Sequence, residues 1–262
     1  MLLNYIYPTD CLEGMKEHIP DGIIDMVLCD LPYGRTKNRW DCPIPFDKLW
    51  EEYKRVVKPN GAILLHADGM FMAQLMMSQP KMWRYNLVWD KTLTTGFLNA
   101  YRMPLRQTEE ICVFYRKPPV YHPQMRNGKP NHSVGRAQGR TRESGSESNN
   151  NYGDHAVIDN RAMLGNMKHP TSLLRFAKPH PAKAHHPTEK PVPLLEYLIE
   201  TYTEPGEIVL DNCMGSGSTA VACLNTGRYF VGFETDTSYC DIAYKRIEQA
   251  KEQQSTLFDF MD

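Results

Sequence analysis

The sequence predicts an α/β fold in which a mostly parallel β-sheet carries helices on both faces. Short apolar segments rich in β-branched residues alternate with segments whose apolar residues recur at helical spacing, which is the pattern of a parallel sheet. Several of these apolar segments end at an acidic residue or a glycine-rich turn. With 262 residues, 41% hydrophobic and 23% charged, the chain has a globular composition and the length of one large α/β domain or two small ones. Collagen-like, coiled-coil and wholly disordered chains are excluded.

Seven strands are predicted from apolar runs that end at turn or acidic residues. They cover residues 4–7, 23–29, 62–66, 84–90, 110–115, 207–210 and 229–233. Helices are predicted over residues 11–18, 46–57, 70–77, 191–203, 217–225 and 237–253. The second helix ends at a turn signal, residues 59–61 (PNG), and Pro191 occupies the favoured first turn of the fourth.

The number and spacing of the cysteines and the length of the apolar runs indicate the cellular compartment of the protein. The seven cysteines are an odd number without a Cys-x-x-Cys pair, which disfavours a disulfide framework and a thiolate zinc site. No apolar run approaches the ~18 residues of a membrane span, and the amino terminus lacks the layout of a secretory signal. We therefore expect a cytoplasmic protein with no metal site and no membrane contact.

Residues 118–184 differ in composition from the rest of the chain. This segment is rich in Pro, Gly, Asn, Ser, Arg and His, and residues 136–154 contain almost nothing apolar. Residues 116–183 hold twelve Lys and Arg against four Asp and Glu, a local net charge of +8 in a chain whose net charge is −1. A basic insert in an acidic body indicates a polyanionic partner, although a solvated, disordered loop would have the same composition.

A glycine-rich turn follows the sixth predicted strand. It contains Gly215 and Gly217 and leads into a helix, and Glu234 ends the next strand. Glycines let a ligand approach the backbone, and an acid in that place can accept both hydroxyl protons of a ribose. A Gly-Lys-Ser/Thr P-loop is missing, and the late position of the turn disfavours an ordinary dinucleotide fold. The pattern predicts a nucleoside-containing cofactor; a turn that only packs helix on strand is the alternative.

A second candidate site, Asp30-Leu31-Pro32-Tyr33, follows the second predicted strand. Asp30 and the Leu31 carbonyl can accept the two N–H bonds of an exocyclic amine, while Tyr33 can stack on the attached base. A base in a duplex reaches such a site only by flipping out, at a cost of a few kcal/mol. Pro-Tyr-Gly is also ordinary turn chemistry, so this motif by itself fits a plain turn equally well.

These residues resemble the β group of the DNA amino-methyltransferases, which use S-adenosylmethionine. In that group an Asp/Asn/Ser-Pro-Pro-Tyr/Phe motif precedes the cofactor loop, with a target-recognition region between them. Residues 30–33, 118–184 and 211–219 follow this order. Residues 186–191 (HPTEKP) are similar to the family's His-Pro-Thr-Gln-Lys-Pro segment beside the methionine end of the cofactor. Residues 10–12 (DCL) match the segment whose acid lies near the cofactor adenine.

The resemblance covers nearly the whole chain outside the insert. It implies a class I methyltransferase (Rossmann-like) fold with a seven-stranded, mostly parallel sheet and a circularly permuted motif order. The implied parts are a catalytic half over residues 1–117, a partly flexible recognition insert over 118–184 and a cofactor-binding half over 185–262.

The two patterns and the resemblance together assign the site residues. The catalytic candidates are Asp30, Leu31, Pro32 and Tyr33. The candidates for cofactor binding are Asp10, Thr188, Lys190, Asp211, Cys213, Gly215, Gly217, Ser218, Thr219 and Glu234.

Two positions depart from the family's pattern. Leu31 replaces the first Pro of the catalytic motif, but it keeps the carbonyl that the chemistry uses. Cys213 replaces a Phe of the cofactor loop, so we expect weaker packing against the cofactor.

The implied reaction is methyl transfer to N6 of a flipped adenine, because a leading Asp in the motif favours adenine. Cytosine N4 is the closest alternative, since the same geometry serves any exocyclic amine. Methylation at cytosine C5 is disfavoured, because it uses a Pro-Cys dipeptide and Cys42-Pro43 has the reverse order. A non-catalytic DNA-binding protein and an NAD-dependent oxidoreductase are more remote alternatives.

DNA contacts are expected from the insert and from the residues after Tyr33. The insert offers Arg126, Lys129, Arg136, Arg140 and Arg142 for phosphates or guanines, and Asn127 or Asn131 for adenines. Arg35, Lys37 and Arg39 are expected to close over the flipped nucleotide. Members of the group are often dimers, so a homodimer is also expected, whereas the target sequence and a cognate restriction nuclease stay open. Both sites can act together only if Tyr33 and Gly215 line one cleft at neighbouring strand ends.

Overall fold

A mixed β-sheet of eight strands organises the computed structural model, which describes residues 1–35, 41–128, 166–179 and 189–259, with side chains described to residue 253. Ten strands are present in these residues. Their bounds are β1 Tyr5–Tyr7, β2 Ile24–Cys29, β3 Val57–Ala67, β4 Trp83–Thr95, β5 Arg106–Phe114, β6 Arg126–Asn127, β7 Met167–Lys168, β8 Leu173–Arg175, β9 Ile208–Asp211 and β10 Tyr229–Phe233.

The strand order in the large sheet is β1-β10-β9-β2-β3-β5-β4-β8. All neighbouring pairs are parallel except those of β5, which runs antiparallel to both β3 and β4. The catalytic candidates follow β2 and the glycine-rich turn follows β9, and these two strands are direct neighbours. The predicted mostly parallel α/β sheet is confirmed.

Helices cover both faces of the sheet, which buries nearly all of its central strands. The helices of the described residues are α1 Cys11–His18, α2 Phe46–Val56, α3 Gly69–Ser78, α4 Val192–Tyr202, α5 Ser218–Asn225 and α6 Thr237–Asp259. The first three share one hydrophobic core with the sheet, and the last three share the other. The fold is therefore a three-layer αβα structure.

All seven predicted strands are present, and two features of the sheet were not predicted. The strand β3 begins at Val57, before the turn signal at 59–61, because its register against β2 shifts: β2 advances from Ile24 to Met26 while β3 advances from Val57 to Ala62. Gly61 lies in this irregular stretch, where a Cβ would approach the Asp25 carbonyl oxygen to 2.7 Å. The other feature is β8, an edge strand of three residues that is too short to show any periodicity.

The chain divides into two units, Met1–His122 with Ser172–Asp262, and Pro123–Thr171. In the second unit β6 pairs antiparallel with β7. None of the helices in the described residues combines the length and hydrophobicity that crossing a membrane requires.

Candidate active site

A cavity of about 410 Å³ opens at the carboxyl ends of β2, β9 and β10. Tyr33 and Gly215 both line it, so the prediction that they share one cleft is confirmed. The predicted site residues on its wall are Asp10, Asp30, Leu31, Pro32, Tyr33, Arg35, Lys190, Asp211, Cys213, Gly215, Ser218, Thr219 and Glu234.

Asp30 is held in place by two donors. The Tyr33 hydroxyl donates to Asp30 Oδ1 at 3.0 Å, and Lys190 Nζ donates to Asp30 Oδ2 at 2.5 Å. Lys190 is buried, which disfavours its charge, but Asp30 and Glu109 outweigh this and raise the pKa of Lys190. The sequence assigned Lys190 to the cofactor; the structure places its ammonium group on the carboxylate of the catalytic motif.

The ring of Tyr33 is partly covered. It stacks on Phe71 of α3 with ring centroids 4.5 Å apart. Burial, together with the charge of Asp30, raises the pKa of Tyr33 well above its usual value, so the hydroxyl stays protonated and remains a donor. The Arg35 guanidinium also lies over this ring, with Cζ 5.8 Å from the ring centroid.

Two further charged side chains, Lys91 of β4 and Glu109 of β5, lie beyond the pair of Asp30 and Lys190. Glu109 accepts a hydrogen bond from Lys91 at 3.1 Å and lies 3.8 Å from Lys190. Burial of Glu109 opposes its ionisation, but Lys190 and Lys91 prevail and lower its pKa. The sequence analysis missed this group, because neither strand carries a recognisable motif and the partners are far apart in the chain.

His66, at the end of β3, also lines the cavity and is 1% exposed. Burial and the nearby Lys190 lower the pKa of His66 to about 3, so the imidazole is neutral. Neither ring nitrogen has a hydrogen-bond partner among the described residues. One donor and one acceptor are therefore left for a ligand or water in the cavity.

Arg35 fixes the chain just after the catalytic motif. It donates to the Asp68 carbonyl oxygen at 2.7 Å and to the Asp68 carboxylate at 3.3 Å. Arg106 at the start of β5 reaches the same carboxylate at 2.6 Å. Arg35, predicted to contact DNA, thus lies at the cavity and is tied to the hairpin of β4 and β5.

The cofactor-loop candidates are held mainly by hydrogen bonds to nearby residues. Asp211 Oδ1 accepts from the Cys213 N–H at 3.1 Å, and Oδ2 accepts from the Thr219 hydroxyl at 2.6 Å. Burial raises the pKa of Asp211 to about 6, against these hydrogen bonds. Asp211 and Thr219 therefore stabilise the conformation of the loop through these hydrogen bonds.

Glu234 and Gly215, two of the cofactor candidates, lie together on the cavity wall. Glu234 accepts from the Gly215 N–H at 2.8 Å and from the Asp236 N–H at 2.9 Å, and burial raises its pKa. Gly215 has a φ of +52° and nothing within 4 Å of the place where a Cβ would stand. The Thr235 N–H also donates to this carboxylate, whose two oxygens together keep acceptor capacity beyond the three backbone donors.

Gly217 takes a different part from the one predicted. It does not line the cavity, and a Cβ on it would approach the Ala243 Cβ of α6 to 2.7 Å. Its φ of +80° also favours glycine at the start of α5. The structure therefore supports the packing alternative for this glycine.

Arg246 of α6 connects the cofactor loop with the segment that carries Lys190. Its guanidinium donates to the Ser216 carbonyl oxygen at 2.7 Å and to the Ser218 hydroxyl at 3.1 Å, and it pairs with Glu189 at 2.9 Å. Sequence analysis missed Arg246, since it lies on an amphipathic helix without a motif.

Two further predicted positions lie on the cavity wall. Asp10 caps α1 by accepting from the Leu12 N–H at 2.8 Å and the Glu13 N–H at 3.3 Å. Cys213 lines the cavity beside Cys11 and Cys29. Weaker packing against the cofactor at Cys213 stays a prediction.

The predicted DNA contacts of the insert are only partly described. Arg126 lies in β6 and donates through Nε to the His169 carbonyl oxygen at 3.2 Å. Asn127, the other described candidate, is exposed in the same strand. The remaining candidates, Lys37, Arg39, Lys129, Asn131, Arg136, Arg140 and Arg142, together with the cofactor candidate Thr188, lie outside the described residues.

Comparison with known proteins gives a consistent family. The sequence profile of a DNA methylase family, N6_N4_Mtase, matches residues 24–245. The type II methyltransferase M.BglII of Bacillus subtilis is 29% identical over 269 aligned residues, which cover 93% of this chain and 68% of that protein.

Two solved structures share the fold. The M1.HpyAVI–SAM complex superposes with a TM-score of 0.60 at 24% identity, covering 92% of this chain and 98% of that one. The cytosine-N4-specific PvuII DNA methyltransferase gives 0.63 at 14% identity, covering 94% and 89%. Together with the profile match, which spans most of the chain, these findings show that the chain belongs to the N6/N4 DNA methylase family and is a DNA methyltransferase with a class I methyltransferase fold.

Proposed function

We propose that this protein transfers a methyl group from S-adenosylmethionine to N6 of an adenine flipped out of duplex DNA. The observation that carries the proposal is the shared cavity, which places Asp30 and the Gly215–Glu234 end of the cofactor site on one wall. A methyl donor held at one end and an amine held at the other would then lie in one cavity, which is the arrangement that a direct transfer needs.

The carboxylates of Glu234 and Asp10, and the backbone at Gly215, are the parts of the cavity that fit the cofactor. Glu234 would accept the ribose hydroxyls, and the open space at Gly215 would admit the ligand against the backbone. Asp10 lies on the same wall for the adenine, and Lys190 with Thr188 belongs to the segment assigned to the methionine end. When bound, S-adenosylmethionine supplies an electrophilic methyl group on a sulfonium.

The residues at the other end would make the amine more reactive. The lone pair of adenine N6 is delocalised into the ring, so the nitrogen is a poor nucleophile. Hydrogen bonds to Asp30 and the Leu31 carbonyl favour a tetrahedral nitrogen, and they strengthen as positive charge develops there. Lys190 and Tyr33 hold the Asp30 carboxylate in position for this, and the carboxylate retains free lone pairs for the amine.

Adenine is proposed over cytosine because the motif begins with Asp. Methylation at cytosine N4 is the second candidate, since one structural neighbour is described as cytosine-N4-specific and the site would hold either exocyclic amine.

Duplex DNA is the proposed partner, and the basic segment of residues 118–184 is proposed to contact it. The described candidates for DNA contact are Arg35 at the cavity, and Arg126 and Asn127 in the second unit. Binding should weaken steeply with salt, because neutralised phosphates release counterions. All seven cysteines are free thiols, which supports the cytoplasm as the compartment.

The test is incubation with radiolabelled S-adenosylmethionine and duplex DNA of mixed sequence, followed by digestion to nucleosides. We expect label in N6-methyladenine, and none with the Asp30→Ala variant. Label in N4-methylcytosine would instead establish the second candidate. Label in neither nucleoside would overturn both.

A further inference from the structure

Four apolar side chains stand exposed at the turn between β4 and β5. This apolar tip consists of Phe97, Leu98, Tyr101 and Met103. Leu98 and Tyr101 are 101% and 106% exposed, and Phe97 is 67% exposed. Single exposed apolar side chains are ordinary, but four within seven residues mark an interaction surface.

The tip is an ordered turn that displays these side chains. Gly96 has a φ of +93° and starts a 3₁₀ turn over Phe97–Asn99. The Arg102 and Met103 N–H groups donate to the Asn99 carbonyl oxygen at 2.8 and 3.0 Å. Backbone groups of the tip therefore hydrogen-bond to each other, while the apolar side chains point away from the fold.

The hairpin that carries the tip also forms part of the cavity wall. Trp89 of β4 and Glu109 of β5 line the cavity. Arg106, at the base of the tip, shares Asp68 with Arg35, which lies two residues after Tyr33. The tip thus rises from the edge of the sheet where the target base would enter.

The charges around the tip favour a polyanion. Arg102 is exposed within the tip, Arg106 is 54% exposed at its base, and Arg35 is 37% exposed beside it. Asp68 pairs with both Arg35 and Arg106. Apolar side chains flanked by cations match a ligand whose backbone is anionic and whose interior is a stack of flat apolar rings.

We propose that the apolar tip enters duplex DNA beside the target base, with Leu98 and Tyr101 filling the gap that the flipped base leaves; this inference rests on the proposed function. A flipped base leaves its neighbours unstacked, and an inserted apolar side chain restores contact on both. A narrow, convex turn suits a gap between base pairs, whereas a second copy of this chain would need a flat or concave face to cover it.

The experiment compares two duplexes that carry the mapped methylation site. In one the target base is paired, and in the other it faces an abasic site, where flipping costs less. The Leu98→Ala/Tyr101→Ala double variant should methylate the paired duplex about tenfold more slowly or worse, but stay within about threefold of wild type on the abasic duplex. The Tyr101→Trp variant, which keeps a ring at the tip, should stay near wild type on both.

Met77→Ala is the matched control, because Met77 is 75% exposed on α3 and should leave both rates unchanged. Cofactor binding and the melting temperature report that each variant is folded. An equal slowing on both duplexes, or none on either, would overturn the insertion. A change of sedimentation in the double variant would also overturn it, in favour of a second copy. A wild-type protein that methylates no DNA would remove the proposed function, and this proposal with it.

Discussion

The two ends of the cavity are built from different kinds of interaction. At the cofactor end, carboxylates accept hydrogen bonds from backbone N–H groups near them, as Glu234 does from Gly215 and Asp211 from Cys213. At the catalytic end, side-chain charges pair across the fold, as Asp30 does with Lys190, 160 residues away. The first kind joins residues at most 19 positions apart in the chain, while the second depends on the tertiary fold.

This difference predicts different sensitivities. A change at the catalytic end should lower the rate of transfer, because the hydrogen bonds to the amine strengthen in the transition state. A change at the cofactor end should weaken binding, because its hydrogen bonds hold the ligand equally before and during transfer.

The largest effect is expected for Asp30→Ala. The substitution removes the carboxylate acceptor for the amine, and we expect kcat to fall by at least about 10³-fold. The affinity for S-adenosylmethionine, measured by calorimetry, should stay near that of wild type. Activity that survives the substitution would show that Asp30 is not the acceptor.

A smaller loss is expected for Lys190→Met, which keeps the length of the side chain and removes its charge. A hydrogen bond between charged groups is worth about 1.5–3 kcal/mol, so kcat should fall roughly 10- to 100-fold. Lys48→Met, on the exposed face of α2, is the control. If cofactor affinity falls while kcat at saturation is preserved, Lys190 serves the cofactor end, as the sequence predicted.

Glu234→Gln should act on binding alone. The amide keeps one acceptor oxygen, but its NH₂ group would face a backbone N–H whose hydrogen bond the Glu234 carboxylate accepts in the wild type. Because two donors cannot bond to each other, the affinity for S-adenosylmethionine should weaken about tenfold. We expect kcat at saturating cofactor to change little. A large drop in kcat with unchanged affinity for S-adenosylmethionine would contradict the assignment of Glu234 to cofactor binding.

The last prediction concerns folding stability rather than catalysis, through the pH dependence of Asp211. Burial raises its pKa to about 6 in the folded protein, so the folded state binds this proton more tightly than the unfolded chain does. Its contribution to stability is therefore greatest at acid pH and is lost as pH rises through about 6; the difference between the two pKa values corresponds to roughly 3 kcal/mol. Urea denaturation between pH 4 and 7 should show this fall for wild type, and a flatter profile for Asp211→Asn. Parallel profiles would contradict the raised pKa.

The limits of sequence analysis follow the same division. The strands, the glycine turn, Asp30 and Glu234 were predictable, because each depends on residues close together in the chain. Glu109, His66 and Arg246 were not, because nothing local marks them: the sheet order brings Glu109 and His66 to the cavity, and the packing of α6 brings Arg246 to the Ser216 carbonyl. Gly217 fitted a ligand-binding pattern, yet its contact with Ala243 of α6 is invisible in the sequence.

The most direct test of the shared cavity is a crystal structure with S-adenosylhomocysteine and a duplex that contains the mapped target. We expect the ribose hydroxyls on Glu234, the cofactor sulfur inside the cavity, and the target amine within hydrogen-bond distance of Asp30 and the Leu31 carbonyl. A cofactor bound elsewhere, or a target base that remains stacked in the duplex with Asp30 still covered by Lys190, would contradict the account.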